Sequence, residues 1–365
     1  MAQAPTYFRM GDMLRAIHLM STRLQTAIVG GLAVMFSLAL APAAAATLVY
    51  ATGGFPTSPP RLPQPEWVWA AHNDGTAAHR LARGDAPHVS PDGRLVVYAS
   101  SQGLEAISAA GGQPRTLIAA SGWQDEPTLA WSPDSKTLVA VTGSSELGAK
   151  SLVWIDVESG RTLRTLAVGY EFFGVDFSPD GSRVIYTRAP GTQMNTDLFV
   201  AVLATGRVRQ FTSDRRSSAA LWGRGWIVFA RSRKPARSND APKQDLYLAK
   251  PSRSDIHRLT FTKPGFLLAG LVPVAWSGGG KRLLAEFVGQ DTSYAEIVNP
   301  STGRVRRVGT SAQGLVGYAL SHDGRWILAT TGGPDPADSS VAMIPYGGGR
   351  LRVLARHAHS PDWSE

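Results

Sequence analysis

Acidic residues recur at a fixed spacing along this chain and are its most obvious candidates for acid chemistry. Ser90-Pro91-Asp92-Gly93 returns as Ser132-Pro133-Asp134-Ser135 and Ser178-Pro179-Asp180-Gly181, and related segments begin at Ser321 and Ser360. A carboxylate can act as a general acid, a general base or a metal ligand. The tetrapeptide is also the composition of a tight turn, in which Asp bonds the backbone two residues on. We therefore expect the repeated carboxylates to be structural: Asp92, Asp134, Asp180, Asp323 and Asp362.

Histidines form the second group of residues with chemical potential. His88 precedes the first turn, His357 and His359 lie near the C-terminus, and Asp176 occupies a comparable place in the middle of the chain. Imidazole and carboxylate groups can bind metals or exchange protons, but no pair has the close spacing of a His-Glu-x-x-His motif. We expect these four residues to line a channel as ordinary polar groups, and we predict neither a metal site nor a cofactor.

Nucleophilic catalysis has little support in the sequence. The chain has no cysteine, and no Ser/His/Asp arrangement can be assigned from spacing. Asp125 and Glu126 are adjacent carboxylates, but neighbouring residues of a strand point to opposite faces of the sheet. We predict no catalytic residue, and we regard a catalytic role as the less favoured alternative.

The elements that carry these residues repeat with a period of about 45 residues, which is typical of solenoids and propellers. Each turn follows a short apolar segment and precedes a β-rich run such as Arg183-Val-Ile-Tyr186, which predicts a hairpin. A second hairpin follows, and its closing strand alternates basic and apolar residues, as Arg207-Val-Arg-Gln-Phe211 does. Four antiparallel strands per period form a β-propeller blade.

Six complete blades are predicted, over residues 86–120, 127–169, 174–213, 218–262, 271–310 and 316–356. The segments before them, Thr47–Tyr50, Glu66–Ala70 and His79–Leu81, match the second to fourth strands of a blade. The segment after them, His357–Asp362, matches a first strand with its turn. The sequence therefore predicts an all-β, seven-bladed propeller closed by pairing of the N- and C-terminal strands. A six-bladed propeller with a loose N-terminus is the alternative.

The first 46 residues differ from the rest. Arg9, Arg15 and Arg23 precede a 14-residue uncharged run from Ala27 to Leu40, which leads into a small-residue segment. This pattern is typical of a secretory signal, and the apolar run is short for a membrane span. We predict a signal peptide over 1–46, with an uncleaved anchor as the alternative, and a propeller domain over 47–365. The protein would then be periplasmic or extracellular, with no stable membrane span after cleavage.

Net charge says more about partners than about fold. The chain carries +9, and loss of the first 46 residues leaves about +7. Such a charge favours contact with anionic surfaces, polymers or acidic proteins. The basic residues are scattered and an exported protein seldom meets nucleic acid, so we predict no nucleic-acid partner and a monomer.

The repeat resembles that of TolB-type (Trp-Asp-like) β-propellers. The turn, followed by a strand such as Asp245-Leu246-Tyr247 and an ending such as Arg258-Leu259-Thr260, carries the resemblance over residues 47–365. Similar repeats occur in periplasmic scaffold proteins and in propellers that gate prolyl-oligopeptidase-like enzymes. The chain has no room for the N-terminal α/β domain of TolB, and it contains no Gly-x-Ser-x-Gly pentapeptide. The resemblance thus implies a stand-alone propeller and does not identify its function.

Propeller geometry directs the search for a binding site to the loops that join successive blades. Loops on a rigid scaffold carry function, and aromatic and Arg residues anchor interfaces. The predicted binding residues are Trp123, Asp125, Glu126, Tyr170, Glu171, Phe172, Asp214, Arg215, Arg216, Lys263 and Phe266. We predict an exported, non-catalytic propeller that binds a protein or cell-envelope polymer. The alternative is a lyase or lactonase acting on a small sugar or lactone at the channel mouth.

Overall fold

A computed structural model describes residues 46–54, 64–120, 128–143, 149–189, 195–234, 243–262, 269–289, 292–310, 314–332 and 338–364. The predicted signal segment lies outside these ranges, apart from residue 46. Every helix or strand element identified in the described residues is a β-strand. In this part of the chain no helix has the length and apolar character needed to cross a membrane.

Strands in the first half of the chain follow the predicted period. They are β1 (Thr47–Gly54), β2 (Gln64–His72), β3 (His79–Arg83), β4 (Asp85–Val89), β5 (Leu95–Ser100), β6 (Gly103–Ser108), β7 (Arg115–Ala119), β8 (Leu129–Trp131), β9 (Thr137–Thr142), β10 (Lys150–Asp156), β11 (Thr162–Gly169), β12 (Glu171–Phe177), β13 (Arg183–Ala189), β14 (Asp197–Val202) and β15 (Val208–Gln210).

The second half of the chain repeats the pattern. Its strands are β16 (Ser217–Trp222), β17 (Ile227–Ser232), β18 (Gln244–Ala249), β19 (Ile256–Arg258), β20 (Ala269–Trp276), β21 (Leu283–Gly289), β22 (Ser293–Val298), β23 (Val305–Arg307), β24 (Val316–Leu320), β25 (Trp326–Thr331), β26 (Ser340–Pro345), β27 (Arg352–Arg356) and β28 (Ala358–Trp363).

These strands form antiparallel four-stranded groups. Five sheets are four-stranded, and a sixth holds eight strands in two antiparallel runs that meet at one parallel pair, Gln244 with Gly270. Counted over the described residues, the groups number seven. We call β4–β7 blade one, β8–β11 blade two, β12–β15 blade three, β16–β19 blade four, β20–β23 blade five and β24–β27 blade six. Blade seven combines β28 with β1–β3.

Blade seven joins the two ends of the described chain. Leu48 on β1 pairs with Trp363 on β28, and the Thr47 amide donates a 2.7 Å hydrogen bond to the Ser364 hydroxyl. One face of this blade packs against blade six, through Tyr50 and Leu328, and the other face packs against blade one. The apolar cores thus lie between blades, and pairing of β28 with β1 gives β1 a partner on both sides.

The repeated Ser-Pro-Asp-Gly segments are turns that satisfy their own backbone. In the first, the Ser90 hydroxyl donates to the Asp92 carboxylate at 2.6 Å, which also accepts the Arg94 amide at 3.1 Å. Asp134, Asp180 and Asp323 repeat this arrangement. Hydrogen bonding from Ser178 and Ser182 lowers the pKa of Asp180 to about 2. These carboxylates are structural, as the turn composition predicts.

The last copy of the motif is different, and its prediction as a turn was wrong. Ser360, Pro361 and Asp362 lie within β28, where Asp362 pairs with Val49 on β1. Asp362 therefore occupies the inner-strand position that Asp176 has on β12, one residue before a buried aromatic residue. The sequence alone suggested a turn because Asp follows Ser at the same spacing in the turns and in this strand.

Arginines near the start of the outer strands bind the next blade. Arg209 donates to the Pro251 carbonyl at 3.3 Å, Arg306 to that of Tyr346 at 2.7 Å, and Arg352 to that of Asp74 at 3.0 Å. Arg115 bonds the Val157 carbonyl in the same way. The basic residues of these strands thus connect blades as well as facing solvent.

Candidate functional site: the channel and the loop face

The first strand of every blade begins at one end of the propeller, which we call the loop face. There Ala358 at the start of β28 pairs with Thr52 near the end of β1, and the Gly84 amide bonds the Glu66 carbonyl at 3.2 Å. Connections between blades and between second and third strands therefore lie on this face. The opposite end carries the Ser-Pro-Asp-Gly turns, and we call it the turn face.

Inner strands share a β-bulge along the channel wall. One extra residue interrupts the register between first and second strands in β4, β12, β16, β20, β24 and β28. At four of these bulges, Ala86, Gly174, Ala219 and Ser360 have φ between 47° and 49°. Such a conformation costs a non-glycine residue about 1–3 kcal/mol and re-aims neighbouring side chains.

His88 and Asp362 meet at the channel wall between blades one and seven. The His88 Nδ1 atom lies 3.9 Å from Asp362 Oδ2, which accepts the Val89 amide at 3.0 Å. Burial lowers the pKa of His88 to about 4 and raises that of Asp362 to about 6. The His88 side chain is 37% exposed, so solvent reaches part of it. The imidazole is mainly neutral at pH 7.5 whether it is buried or in water, because even its unperturbed pKa is about 6.5. The Asp362 carboxylate connects the two blades through its hydrogen bond from the Val89 amide.

His359 lies nearby, with Asp85 and Ser360. Its Nδ1 atom is 3.5 Å from Asp85 Oδ1 and 3.1 Å from the Ser360 hydroxyl, whereas its buried Nε2 atom has no hydrogen-bond partner. A serine nucleophile and an orienting carboxylate must contact different ring nitrogens to work as a triad. Both groups contact the same nitrogen here. This histidine therefore does not relay a proton between Ser360 and Asp85.

Asp176 lies away from this cluster. Asp176 lies on β12 of blade three, where its carboxylate accepts the Trp222 amide of blade four at 2.6 Å and the Phe177 amide at 2.9 Å. Burial raises the pKa of Asp176 to about 7 despite these bonds. His357 is exposed, just before β28. Among the predicted channel residues, His88 and His359 both lie at the junction of blades one and seven, where each is close to a different carboxylate.

The described residues hold no group of three or more His, Asp or Glu arranged to bind a metal ion. Two histidines and two carboxylates do lie near the junction of blades one and seven, but the structure connects them as separate pairs. The chemistry this wall supports is hydrogen bonding to polar groups entering the channel.

The loop between blades two and three places its residues in different environments. Tyr170 is 45% exposed, and Glu171 forms a 3.1 Å ion pair with Lys150. Phe172, predicted as a surface contact, is only 3% exposed and packs 5.8 Å from the Tyr186 ring in the core between the blades. Phe173 is the exposed neighbour, because successive residues of β12 face opposite sides. Phe172 is therefore a core residue.

The loop after blade three is fixed by Asp197, which is nearly buried. Its carboxylate accepts hydrogen bonds from the Thr212 hydroxyl at 2.9 Å and from the Asp214 and Arg215 amides at 3.0 Å each. We call this group the Asp197 anchor. The loop's side chains then diverge: Asp214 pairs with Arg231 at 2.6 Å, and Arg216 donates to the Arg233 carbonyl. Arg215 is exposed, with φ of 57°.

An equivalent group, the Asp245 anchor, holds the described start of the loop after blade four. Asp245 is 1% exposed and binds Arg233 Nε at 2.9 Å, Arg258 Nη2 at 2.7 Å and the Thr262 amide at 2.7 Å. Burial alone would raise the pKa of Asp245, but hydrogen bonds from Arg233 and Thr262 outweigh it and lower the pKa. Arg231 and Arg233 are thus both paired with carboxylates.

Phe261 projects from the Asp245 anchor into solvent. It lies between Thr260, whose hydroxyl accepts the Leu246 amide at 2.9 Å, and Thr262, whose amide binds Asp245. Its side chain is 71% exposed, and the Arg258 guanidinium lies 4.3 Å from the ring centroid. Arg258 is itself fixed by Asp245 and by the Thr260 carbonyl. The structure holds an exposed aromatic ring on a rigid base.

Sequence reasoning missed Phe261, although the repeat contains the signal. In the Asp197 anchor, Thr212 corresponds to Thr260, so the exposed Ser213 takes the place of Phe261. The hydrogen bonds of the anchor do not require Phe at position 261, and this becomes clear only when the two repeats are aligned. The predicted residues Trp123, Asp125, Glu126, Lys263 and Phe266 lie outside the described residues.

Comparison with solved structures decides the fold. TolB from Acinetobacter baumannii is 16% identical over 87% of this chain and 82% of that chain, with a TM-score of 0.51. The chain has the β-propeller fold that TolB contains. The propeller domain of the trilobed protease from Pyrococcus furiosus is 12% identical over 84% of this chain and 96% of that chain, with a TM-score of 0.59. That domain has an open velcro topology, whereas the TolB-like propeller described here pairs β28 with β1.

Enzymes share this TolB-like fold as well. An oligogalacturonate lyase in complex with manganese is 14% identical over 85% of each chain, with a TM-score of 0.56. No family model and no curated protein matches the sequence. At these identities the likeness shows the fold alone, because one fold hosts many functions.

Proposed function

We propose that this TolB-like propeller is exported and non-catalytic, and that it binds a protein or polymer of the cell envelope through its loop face. The observation that carries the proposal is Phe261, a large apolar side chain that is 71% exposed yet held in place by fixed neighbours. Burial of a Phe side chain in an interface contributes about 1.5–3 kcal/mol. A pre-ordered ring loses little conformational freedom on binding, so most of that free energy is available for affinity.

The surroundings of Phe261 suit an interface anchor. Arg258 contacts its ring, and Arg215 and Tyr170 are exposed on the same face of neighbouring blades. Tyr and Arg are enriched among residues that dominate binding energies. We include in the proposed surface the other residues predicted from the sequence: Trp123, Asp125, Glu126, Glu171, Asp214, Arg216, Lys263 and Phe266.

An envelope partner fits the N-terminal signal pattern and the charge. A protein of about +7 after export would be attracted to acidic proteins and anionic polymers. TolB proteins, which share the fold, are the basis for preferring a protein partner. Sequencing the N-terminus of the mature protein from the native envelope tests export, and a start near residue 47 is expected.

Affinity capture from solubilised native envelope tests the binding site. Wild-type protein is compared with Phe261→Ser, which installs the residue of the sister loop, and with Trp326→Ser on the turn face. Trp326 is 38% exposed, so it controls for loss of an exposed aromatic ring. We expect Phe261→Ser to lower recovery of a saturable partner about ten-fold and Trp326→Ser to leave it unchanged. Equal recovery with all three proteins would remove Phe261 from the site.

Catalysis is the alternative function, favoured by the oligogalacturonate lyase among the structural neighbours and by the polar channel wall. Incubation with oligogalacturonate, with and without manganese, tests it through the absorbance of unsaturated products. The binding proposal predicts no product. Turnover that is lost in His359→Ala and kept in Phe261→Ser would favour the enzyme instead.

A further inference from the structure

A basic cleft lies on the turn face between blades five and six, away from the surface proposed above. Its volume is about 570 Å³, within the range of small-ligand sites. The walls come from the turn that joins β22 to β23, from the start of β21, and from Tyr346 and Gly347 after β26.

The charge of the cleft is one-sided. Its basic residues are Lys281, Arg282, Arg304 and Arg306, and none of the described residues that line it is acidic. The nearest turn on blade six contains Asp323, whose pKa is lowered first by a hydrogen bond from Ser321 and also by the charge of Arg282. The Asp323 carboxylate lies 3.4 Å from Arg325. Arg325 therefore balances the charge of Asp323, outside the cleft. Four positive charges around one cavity produce a potential that attracts anions.

Two of the arginines are already oriented. Arg282 donates from Nη1 to the Gly324 carbonyl at 2.5 Å and lies 4.8 Å from the centroid of the Tyr346 ring. Arg306 donates from Nη2 to the Tyr346 carbonyl at 2.7 Å. A guanidinium has five N–H donors in a fixed plane, so each arginine retains donors for a second acceptor. Their orientation lowers the entropic cost of binding.

Blade two shows what the same location looks like without this charge pattern. Lys136 corresponds to Lys281, since each lies four residues after the serine of its turn, Ser132 or Ser277. Arg161 corresponds to Arg304, since the carbonyl of each accepts the equivalent amide at the start of the outer turn. Asp156 there takes the place of Asn299, and its carboxylate feels the charge of Arg161. Thr137 replaces Arg282. Blade five thus has an amide in place of the carboxylate and one additional arginine.

We propose that the cleft between blades five and six binds a small molecule or polymer segment that carries at least two phosphate or carboxylate groups. Oriented guanidinium groups recognise such groups through paired hydrogen bonds, and the exposed Lys281 and Arg304 add charge at the rim. Asn299 supplies a neutral donor and acceptor without repelling an anion.

Isothermal titration of the purified exported domain with inorganic pyrophosphate and with citrate tests this site. Chloride at matched ionic strength is the reference, because surface electrostatics alone is screened by salt. We expect at least one probe to bind with a 1:1 stoichiometry and micromolar affinity. Binding of pyrophosphate alone assigns the site to phosphates, and binding of citrate alone assigns it to carboxylates. Absence of binding by both probes at millimolar concentration overturns the proposal.

Two double variants separate the cleft from general surface charge. Lys281→Ala/Arg304→Ala removes two cations from the cleft, and Lys136→Ala/Arg161→Ala removes the same charge from blade two. Neither pair touches the Phe261 surface, so failure of this site would leave the loop-face proposal intact. We expect at least ten-fold weaker binding for the first variant and less than two-fold for the second. Equal losses would show diffuse attraction and overturn the site, and matching thermal unfolding midpoints confirm that both variants fold.

Discussion

The Asp197 and Asp245 anchors are the same structure with different side chains on it. Each uses a buried carboxylate and a threonine to hold the start of a blade-joining loop, by hydrogen bonds of 2.7–3.0 Å to loop amides. Asp197 is satisfied mainly by neutral donors, whereas Asp245 binds two guanidinium groups. The first anchor presents Ser213 and the second presents Phe261. Residues that the anchors share serve the fold, and the residue that differs points to function.

The largest expected effect comes from breaking the anchors themselves. Asp245→Ala leaves two arginines and a loop amide without their buried acceptor and should lower the free energy of unfolding by about 3–5 kcal/mol. Asp197→Ala removes neutral hydrogen bonds and should cost about 1–3 kcal/mol. Urea unfolding followed by tryptophan fluorescence measures both. A larger loss for Asp197→Ala would show that the guanidinium pairs contribute less than the comparison implies.

A second comparison concerns Asp176 and Asp362, which occupy equivalent inner-strand positions. The pKa of Asp176 is raised to about 7 in the folded protein, above the value of about 3.9 in unfolded chains. The folded state therefore holds this proton more tightly, and its contribution to stability is present at pH 4 and lost as pH rises through 7. We expect this loss of stability to be about 2 kcal/mol, because Asp176 is partly exposed and solvent screening reduces the effect.

The Asp176→Asn variant should remove this loss of stability between pH 4 and 7. The Asp362→Asn variant should change the profile less, because the pKa of Asp362 is raised only to about 6, against about 7 for Asp176. In wild type the cost of protonating His88 offsets the gain at Asp362 as pH falls from 6.5 to 4, so the Asp362→Asn variant should lose stability over this range. Urea unfolding at five pH values measures this difference, and identical profiles for wild type and Asp176→Asn would refute it.

The smallest effect on stability is expected from exchanging the side chains that the anchors present. Phe261→Ser gives up one cation–π contact with Arg258, worth about 0.5–1 kcal/mol, and Ser213→Phe should be within about 0.5 kcal/mol of wild type. Thermal unfolding of both variants checks this. Destabilisation of more than 2 kcal/mol by Phe261→Ser would mean that Phe261 serves the fold rather than binding.

Much of the fold could be predicted from sequence because the repeat is local. Turns such as Ser90–Gly93 are stabilised within five residues, so their composition is sufficient. Phe172 and Asp362 were placed wrongly for a different reason. The orientation of Phe172 depends on how β12 starts after the loop, and the strand position of Asp362 depends on pairing with Val49 more than 300 residues away. Neither contact leaves a local pattern.

The candidate site was less predictable because its residues depart from the repeat. Phe261 and Asn299 become notable only beside Ser213 and Asp156, and that requires the structural alignment of blades. His359 shows the same limit. Its proximity to Asp85 follows from closure between blades seven and one, but the orientation that excludes a triad depends on its side-chain geometry.

Site-specific photocrosslinking in intact cells tests the central claim most directly. A benzophenone amino acid replaces Phe261 in one protein and Trp326 in another, so both probes are exposed and lie on opposite ends of the propeller. The proposal predicts a discrete crosslinked species from position 261, competed by excess wild-type protein, and no such species from position 326. Crosslinking from position 326 alone, or equally from both positions, would contradict a partner bound at the loop face.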